Sequence, residues 1–397
     1  MGMLELLRNS VDRCLGCGIC RAKADNVCPM WVGSSGFECE TPRGIVTIAK
    51  DILDMQIELS RELSNVIFEC TTCKSCVERC GALTEEGKPL INVPEIVVAL
   101  REKILVESGF VPSKVRVFLE NVVKFGNPYG EARSRRGVWA GEVGVRHIKP
   151  GDDFLLFIGC VSSYDSRAQE VAKALSRVLL VSGFSFGILG EEEVCDGNEV
   201  YRLGETELFK LLAEKNIENF KKYGVKKIVT LSPHSYNAIK NEYPKFGGNF
   251  EVYHYTQILK DLIKKGKIDV SKGLKAKVKV TYHDPCFLGR WNNEYEAARY
   301  ILTNIPGIEL IEMERSKENS FCCGGGSGNF YTDLLGGTPN SPNRVRIKEA
   351  QETGANILAT ACPICTIMLE DAAKTEELEQ KIQIKDLAEI IKQTLQP

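Results

Sequence analysis

The chain has 397 residues, 43% of them hydrophobic, enough for two or three domains with ordinary cores that need no covalent staples. Its 51 basic and 53 acidic residues leave a net charge of −2, which excludes a whole-chain field that would draw it onto nucleic acid. No apolar run approaches the roughly 18 residues of a membrane span, and the opening stretch MGMLELLRNSVDRC lacks a basic segment followed by an apolar core.

A reducing, cytoplasmic setting is therefore expected, with any membrane role falling to a partner subunit. The sixteen cysteines stand in tight groups, not at the intervals of a disulfide framework, and grouping of that kind favours metal ligation.

Residues 1–105 hold nine of the cysteines and read as a small cluster-binding module. The stretch from Lys50 to Ser64 reads as a helix between two cysteine groups. The first group is Cys14, Cys17, Cys20 and Cys28, followed by Pro29; the second is Cys70, Cys73, Cys76 and Cys80.

Three thiolates on a tight loop take three corners of a cubane, while the fourth cysteine, carried onward by the chain, reaches the other cluster. That logic assigns Cys14, Cys17, Cys20 and Cys80 to one [4Fe–4S] cluster, and Cys70, Cys73, Cys76 and Cys28 to a second. The spacing departs from the bacterial run in two ways: residues 21–27 separate Cys20 from Cys28, and Gly81 stands where proline follows the last cysteine. Paired C-x2-C elements also suit tetrahedral zinc, but a triple ladder repeated twice is more specific to cubanes. Cys39 lies outside both ladders and reads as a structural or surface thiol.

Residues 106–150 read as a linker with one amphipathic helix and Gly-, Pro- and Arg-rich turns, and its EARSRRG stretch, 131–137, reads as a solvated face. From Phe154 the pattern alternates strand and helix: FLLFIG, a helix near 166–181, FSFGIL, a helix near 205–223, KKIVTL and a short helix from His234. It recurs with KVKVTY, a helix near 292–304, IELIEM, a helix near 341–353, NILATA and a helix from Pro363. Marked residues recur with it. Cys160 matches Cys286; Cys195, Asp196 and Gly197 match Cys322, Cys323 and Gly324; Ser232 and Ser235 match Cys362 and Cys365.

The fold class is thus α+β, a helical two-cluster module followed by two similar α/β lobes at 151–272 and 273–397. In the second lobe Cys286, Cys322, Cys323, Cys362 and Cys365 supply more thiols than one tetrahedral ion uses, and the vicinal pair points to a cluster. The glycines 324–326 let backbone N–H groups approach the sulfurs.

The segments YHDPCFLGRWN, ENSFCCGGG and ATACPICTIMLEDA resemble the CCG-domain family, which includes catalytic subunits of heterodisulfide reductases and iron–sulfur subunits of glycolate, lactate and anaerobic glycerol-3-phosphate dehydrogenases. The resemblance covers nearly the whole chain and implies that the five C-terminal cysteines bind a third, noncubane [4Fe–4S] cluster. The first lobe departs from the pattern, since Asp196 replaces the second vicinal cysteine and Ser232 and Ser235 replace the final pair. Serine hydroxyls are poor iron–sulfur ligands, so this lobe reads as a relic kept for packing and docking, with Cys160 and Cys195 as buried small residues. A sharper alternative is a mononuclear zinc site of Cys160, Cys195, Asp196 and His234. His283 and Asp284 read equally as a proton-delivering or a structural pair, and His254 as a core or interface residue.

The resulting expectation is an electron-transfer subunit between a flavoprotein dehydrogenase and a quinone, another carrier or a membrane partner. The alternative is a disulfide reductase acting at the C-terminal cluster.

Overall fold

The computed structural model describes residues 2–20 and 28–395, so the interval between Cys20 and Cys28 lies outside them. The first cysteine groups are carried on short helices and turns. The helix expected over 50–64 is instead two, Pro42–Leu53 and Arg61–Glu69. Each has its own start signal: Thr41 Oγ1 accepts from Gly44 N–H, and Ser60 Oγ accepts from Leu63 N–H. Met55, at a φ of 55°, turns the chain out of the first before Ser60 begins the second.

The amphipathic helix of the 106–150 stretch is Ser113–Phe125, which buries Val115, Phe118, Leu119 and Val122 at helical spacing. Phe118 meets the Tyr331 ring at 5.1 Å, between centroids, so the stretch packs on the C-terminal half.

The remainder forms two parallel four-stranded sheets of the same topology. In the first, β1 (Phe154–Phe157), β2 (Phe186–Gly187), β3 (Lys227–Thr230) and β4 (Glu251–His254) lie in the order β2-β1-β3-β4. In the second, β5 (Val278–Tyr282), β6 (Ile308–Leu310), β7 (Ile357–Thr360) and β8 (Gln383–Asp386) lie in the order β6-β5-β7-β8.

The central strands are buried apolar runs, with Leu155, Leu156, Phe157, Ile228 and Val229 in one sheet and Ile357, Leu358 and Ala359 in the other, as parallel strands covered on both faces require. β4 and β8 follow the pattern that the first three strands of each lobe set. Their short, partly charged segments EVYH and QIKD carry little apolar signal of their own. Among the described residues no helix is long and apolar enough to cross a membrane.

One buried cation fixes the N-terminal helices to both lobes. Arg101 is wholly buried, and its guanidinium donates to the carbonyls of Ile67 (2.8 Å), Phe68 (2.9 Å) and Cys70 (2.7 Å). The same group donates to the Arg202 carbonyl of the first lobe at 2.8 Å and to Ser327 Oγ of the second. Burial pulls its pKa down to about 10, which leaves it charged at neutral pH.

Arg101→Met strands these acceptors, so we expect a loss of about 3–5 kcal/mol in urea unfolding of the anaerobically purified chain. Arg101→Lys is not expected to restore it, because one ammonium lacks the planar fork. A loss below about 1 kcal/mol would contradict the assigned role.

A second expectation concerns Asp386, which caps the last helix and accepts from Tyr255 Oη at 2.7 Å. Burial pushes its pKa up to about 7, so the folded carboxyl holds its proton more tightly than the unfolded one. The resulting stability is present below the unfolded pKa and is lost as pH rises through about 7. Asp386→Asn should flatten the fall in urea midpoint between about pH 5 and about pH 8; an unchanged slope would refute the assignment.

Candidate iron–sulfur centres

In each sheet the first and third strands are adjacent, so the connections leave to opposite sides and open a crevice at the strands' carboxyl ends. The marked residues sit there. Cys160 follows β1 and Ser232 follows β3; Cys286 follows β5 and Cys362 follows β7.

In the second lobe the five cysteines come together in a buried pack. Cys286 and Cys322 hydrogen-bond, as do Cys322 and Cys323, Cys323 Sγ lies 3.4 Å from Cys365 Sγ, and Cys362 hydrogen-bonds Cys365. Gly324 N–H donates to Cys322 Sγ at 3.3 Å, the backbone approach expected of the glycine run. A Cβ on Gly325 would meet Ile364 at 2.5 Å, and one on Gly326 would meet the Thr71 carbonyl at 2.8 Å. Burial, the largest influence on Cys362, acts upward, yet hydrogen bonds from Cys365 and His234 bring its pKa down to about 5. An all-thiol, buried donor set suits a soft iron–sulfur centre.

His283 and Asp284 part company. Asp284 is structural, forked by Arg299 at 2.7 and 2.9 Å and accepting from Lys317 N–H at 2.8 Å. His283 Nδ1 lies 3.1 Å from Arg346 Nε, and a ligating atom of its ring falls within 4.8 Å of the Cys323 and Cys365 sulfurs. Burial, helped by Arg346, brings the His283 pKa down to about 3, so the ring is neutral. His254, the other candidate core histidine, is wholly buried at the start of the helix Tyr255–Lys264.

The N-terminal ladders form two sets. Cys20 lies beside Cys14, Cys80 and Cys17, and burial, reinforced by those neighbours, pushes its pKa up to about 11. These four and Cys76 line a cavity of about 170 Å³. Cys28 lies beside Cys70 and Cys73, and Cys76 beside Cys73, Cys70 and Cys28 and also near Cys20, which puts Cys76 between the two sets. Cys39 stands apart in a short turn, half-buried against the core.

Sequence reasoning missed how the second ladder meets the C-terminal set. The Cys73 thiol hydrogen-bonds Cys322, and Thr71 Oγ1 lies 4.0 Å from the same sulfur. Arg290 clamps the junction, donating to the Cys73 carbonyl at 2.7 Å and the Ser320 carbonyl at 2.6 Å. Trp291 Nε1–H donates to the Thr72 carbonyl at 3.0 Å. Arg290 and Trp291 lie in the FLGRWN segment beside Cys286, the only sequence signal for this clamp.

The first lobe keeps two thiols in contact, since Cys160 and Cys195 hydrogen-bond one another. The expectation that residues 131–137 form a solvated face fails at Arg136, which is 2% exposed, bonded to Glu193 and 3.5 Å from Cys160 Sγ. The acidic run before Cys195 was the available signal for that pair. Asp196 turns to Ser235 Oγ at 2.8 Å, and His234 turns to Glu199 Oε1 at 2.5 Å and to Cys362. Cys160, Cys195, Asp196 and His234 all line one small cavity, where the two thiols bond each other while Asp196 and His234 bond Ser235 and Glu199. Among the described residues, the one trio of ligating atoms within 4.8 Å is His283, Cys323 and Cys365.

The same organisation appears in comparisons with known proteins. Residues 10–82 match a 4Fe-4S dicluster domain, and residues 154–240 and 280–370 each match a cysteine-rich domain. The chain is 38% identical to EtfAB:quinone oxidoreductase of Syntrophomonas wolfei, over 83% of this chain and 46% of that protein. It is equally 38% identical to the probable iron-sulfur-binding oxidoreductase FadF of Bacillus subtilis, over the same shares. The chain spans about half the length of these two relatives. With one of the subunits of the dihydromethanophenazine:CoB--CoM heterodisulfide reductase of Methanosarcina barkeri the identity is 34%, over 97% of this chain and 94% of that protein. A dicluster domain ahead of two cysteine-rich domains, together with a match across nearly all of the Methanosarcina protein, means that the chain belongs to the CCG-domain family of iron–sulfur proteins.

Proposed function

We propose that the chain is an electron-transfer subunit that relays electrons between a flavoprotein dehydrogenase, acting on a 2-hydroxy acid or similar metabolite, and a quinone or other carrier. In this reading Cys14, Cys17, Cys20 and Cys80 hold one cubane and Cys70, Cys73, Cys76 and Cys28 a second, while Cys286, Cys322, Cys323, Cys362 and Cys365 hold a noncubane [4Fe–4S] cluster. The observation that carries it is the contact of Cys73 with Cys322, by which ligands of neighbouring centres touch.

Iron–sulfur clusters, when bound, accept and release single electrons. The residues around them grade the path from surface to interior. Cys17 is exposed, Cys14, Cys20 and Cys80 are partly covered, and the C-terminal five are buried. An exposed first centre suits exchange with a partner chain, and the name of the Syntrophomonas relative couples EtfAB to a quinone.

The second reading, disulfide reduction at the C-terminal centre, takes its support from the heterodisulfide reductase relative. Asp196, Ser232 and Ser235 deprive the first lobe of a matching thiol set, which weighs towards the relay.

Anaerobic purification from the native source should give about twelve iron atoms per chain, from three four-iron clusters, together with an associated flavoprotein. Cys362→Ala should remove about four of them. About eight in the unsubstituted chain would overturn the third cluster. A monomer without any flavoprotein would overturn the relay. Reduction of small disulfides by the isolated, chemically reduced chain would favour the second reading.

A further inference from the structure

His234 and Glu199 stand where the internal repeat has no polar counterpart. The turn Cys362, Pro363, Ile364, Cys365 of the second lobe corresponds to Ser232, Pro233, His234, Ser235 of the first, so His234 occupies the place of Ile364. Counting from Cys195 and Cys322, Glu199 occupies the place of Gly326. The middle residue of each turn looks into the other lobe's crevice. Ile364 reaches across to line the cavity that holds Cys160 and Cys195, and His234, which lines that cavity too, reaches across to hydrogen-bond Cys362. The exchange is one-sided, apolar into the first lobe and polar into the second.

The histidine is held on three sides. Its Nδ1 lies 2.5 Å from Glu199 Oε1, and its ring is 4.4 Å from that of Phe287, between centroids. Glu199 is fixed in turn by Asn198 Nδ2, at 2.7 Å, and by the backbone N–H of Gly328, on the loop that carries Cys322 and Cys323. Both residues are buried, at 6% and 7% exposure, so neither serves as a solvated surface pair. The ring thus meets the Glu199 carboxylate at Nδ1 and also hydrogen-bonds the Cys362 sulfur. A hydrogen-bond donor at a ligand sulfur favours the electron-rich state of a bound cluster.

We propose that the Glu199–His234 pair is a positioning element that the thiol-poor lobe supplies to the C-terminal cysteine centre, donating to the Cys362 sulfur and raising the centre's reduction potential. The lobe is then the second half of the site. This rests on the reading that the five cysteines hold a cluster.

The test is an EPR-monitored redox titration of the anaerobically purified full chain, unsubstituted and as His234→Leu, His234→Gln and Glu199→Gln, with iron content measured on each. His234→Leu should lower the midpoint of the C-terminal centre and alter its line shape, with the cubane signals unmoved. His234→Gln, which keeps an N–H donor on a shorter side chain, should fall between, and Glu199→Gln, which loosens the histidine's hold, should shift the same way by less. Midpoints and line shapes that stay put with iron intact overturn the proposal, and so does an equal shift of the cubane signals, which would mean general disturbance. Should His234→Leu lose iron, the two glutamine variants decide by the same criteria. About eight iron atoms in the unsubstituted chain would instead sink the underlying cluster reading, and the proposal with it, before any variant is compared.

Discussion

The structure depends on satisfying the donors of a single buried guanidinium. Arg101 carries a charge into a place where an unpaired one is prohibitive, and the acceptors that surround it come from all three parts of the chain. Because the fork is planar and short, the Cys70 carbonyl, the Arg202 carbonyl and the Ser327 hydroxyl are held in fixed relation. Cys70 opens the second ladder, and Ser327 follows the vicinal cysteines by four residues. Arg290 repeats the device at Cys73 and Ser320. The contact of Cys73 with Cys322 is thus set by backbone hydrogen bonds on either side, not by the thiols themselves.

The same arrangement explains how two similar lobes serve unequal ends. The crevices at the strand ends face one another, so each lobe touches the other's residues as well as its own. The second lobe kept its thiols. The first has one carboxylate and two hydroxyls where the second has three of its five thiols, and its Cys160 lies against the buried Arg136–Glu193 pair.

Much of this was legible in the sequence because ligand chemistry is local. Cysteine ladders declare themselves by spacing, and in the fold Cys20 lies beside Cys14, Cys17 and Cys80, and Cys28 beside Cys70 and Cys73. The first three strands of each lobe were legible through apolar or alternating runs, buried in the central strands and half-buried in β6. β4 and β8 were not, since short edge strands with charged residues carry little such signal. The helix break at Met55 was missed because nothing in the composition marks a left-handed methionine. Arg101, Arg290, Arg136 and Glu199 were illegible for a different reason. A buried charge reads in sequence like any solvated one, and only its distant acceptors, 101 residues away for the Arg202 carbonyl, give it meaning.

The placement of the ligands outside the strands has an evolutionary consequence. Every thiol of the second lobe lies on a loop or in the first turn of a helix, while the sheet beneath is held by Val280, Leu358, Ala359 and their neighbours. The first lobe has the same strand order without that thiol set. Cofactor binding and folding are therefore separately heritable in this architecture: a lobe can shed its centre by a handful of loop substitutions, keep its shape, and be available for a new role beside its twin.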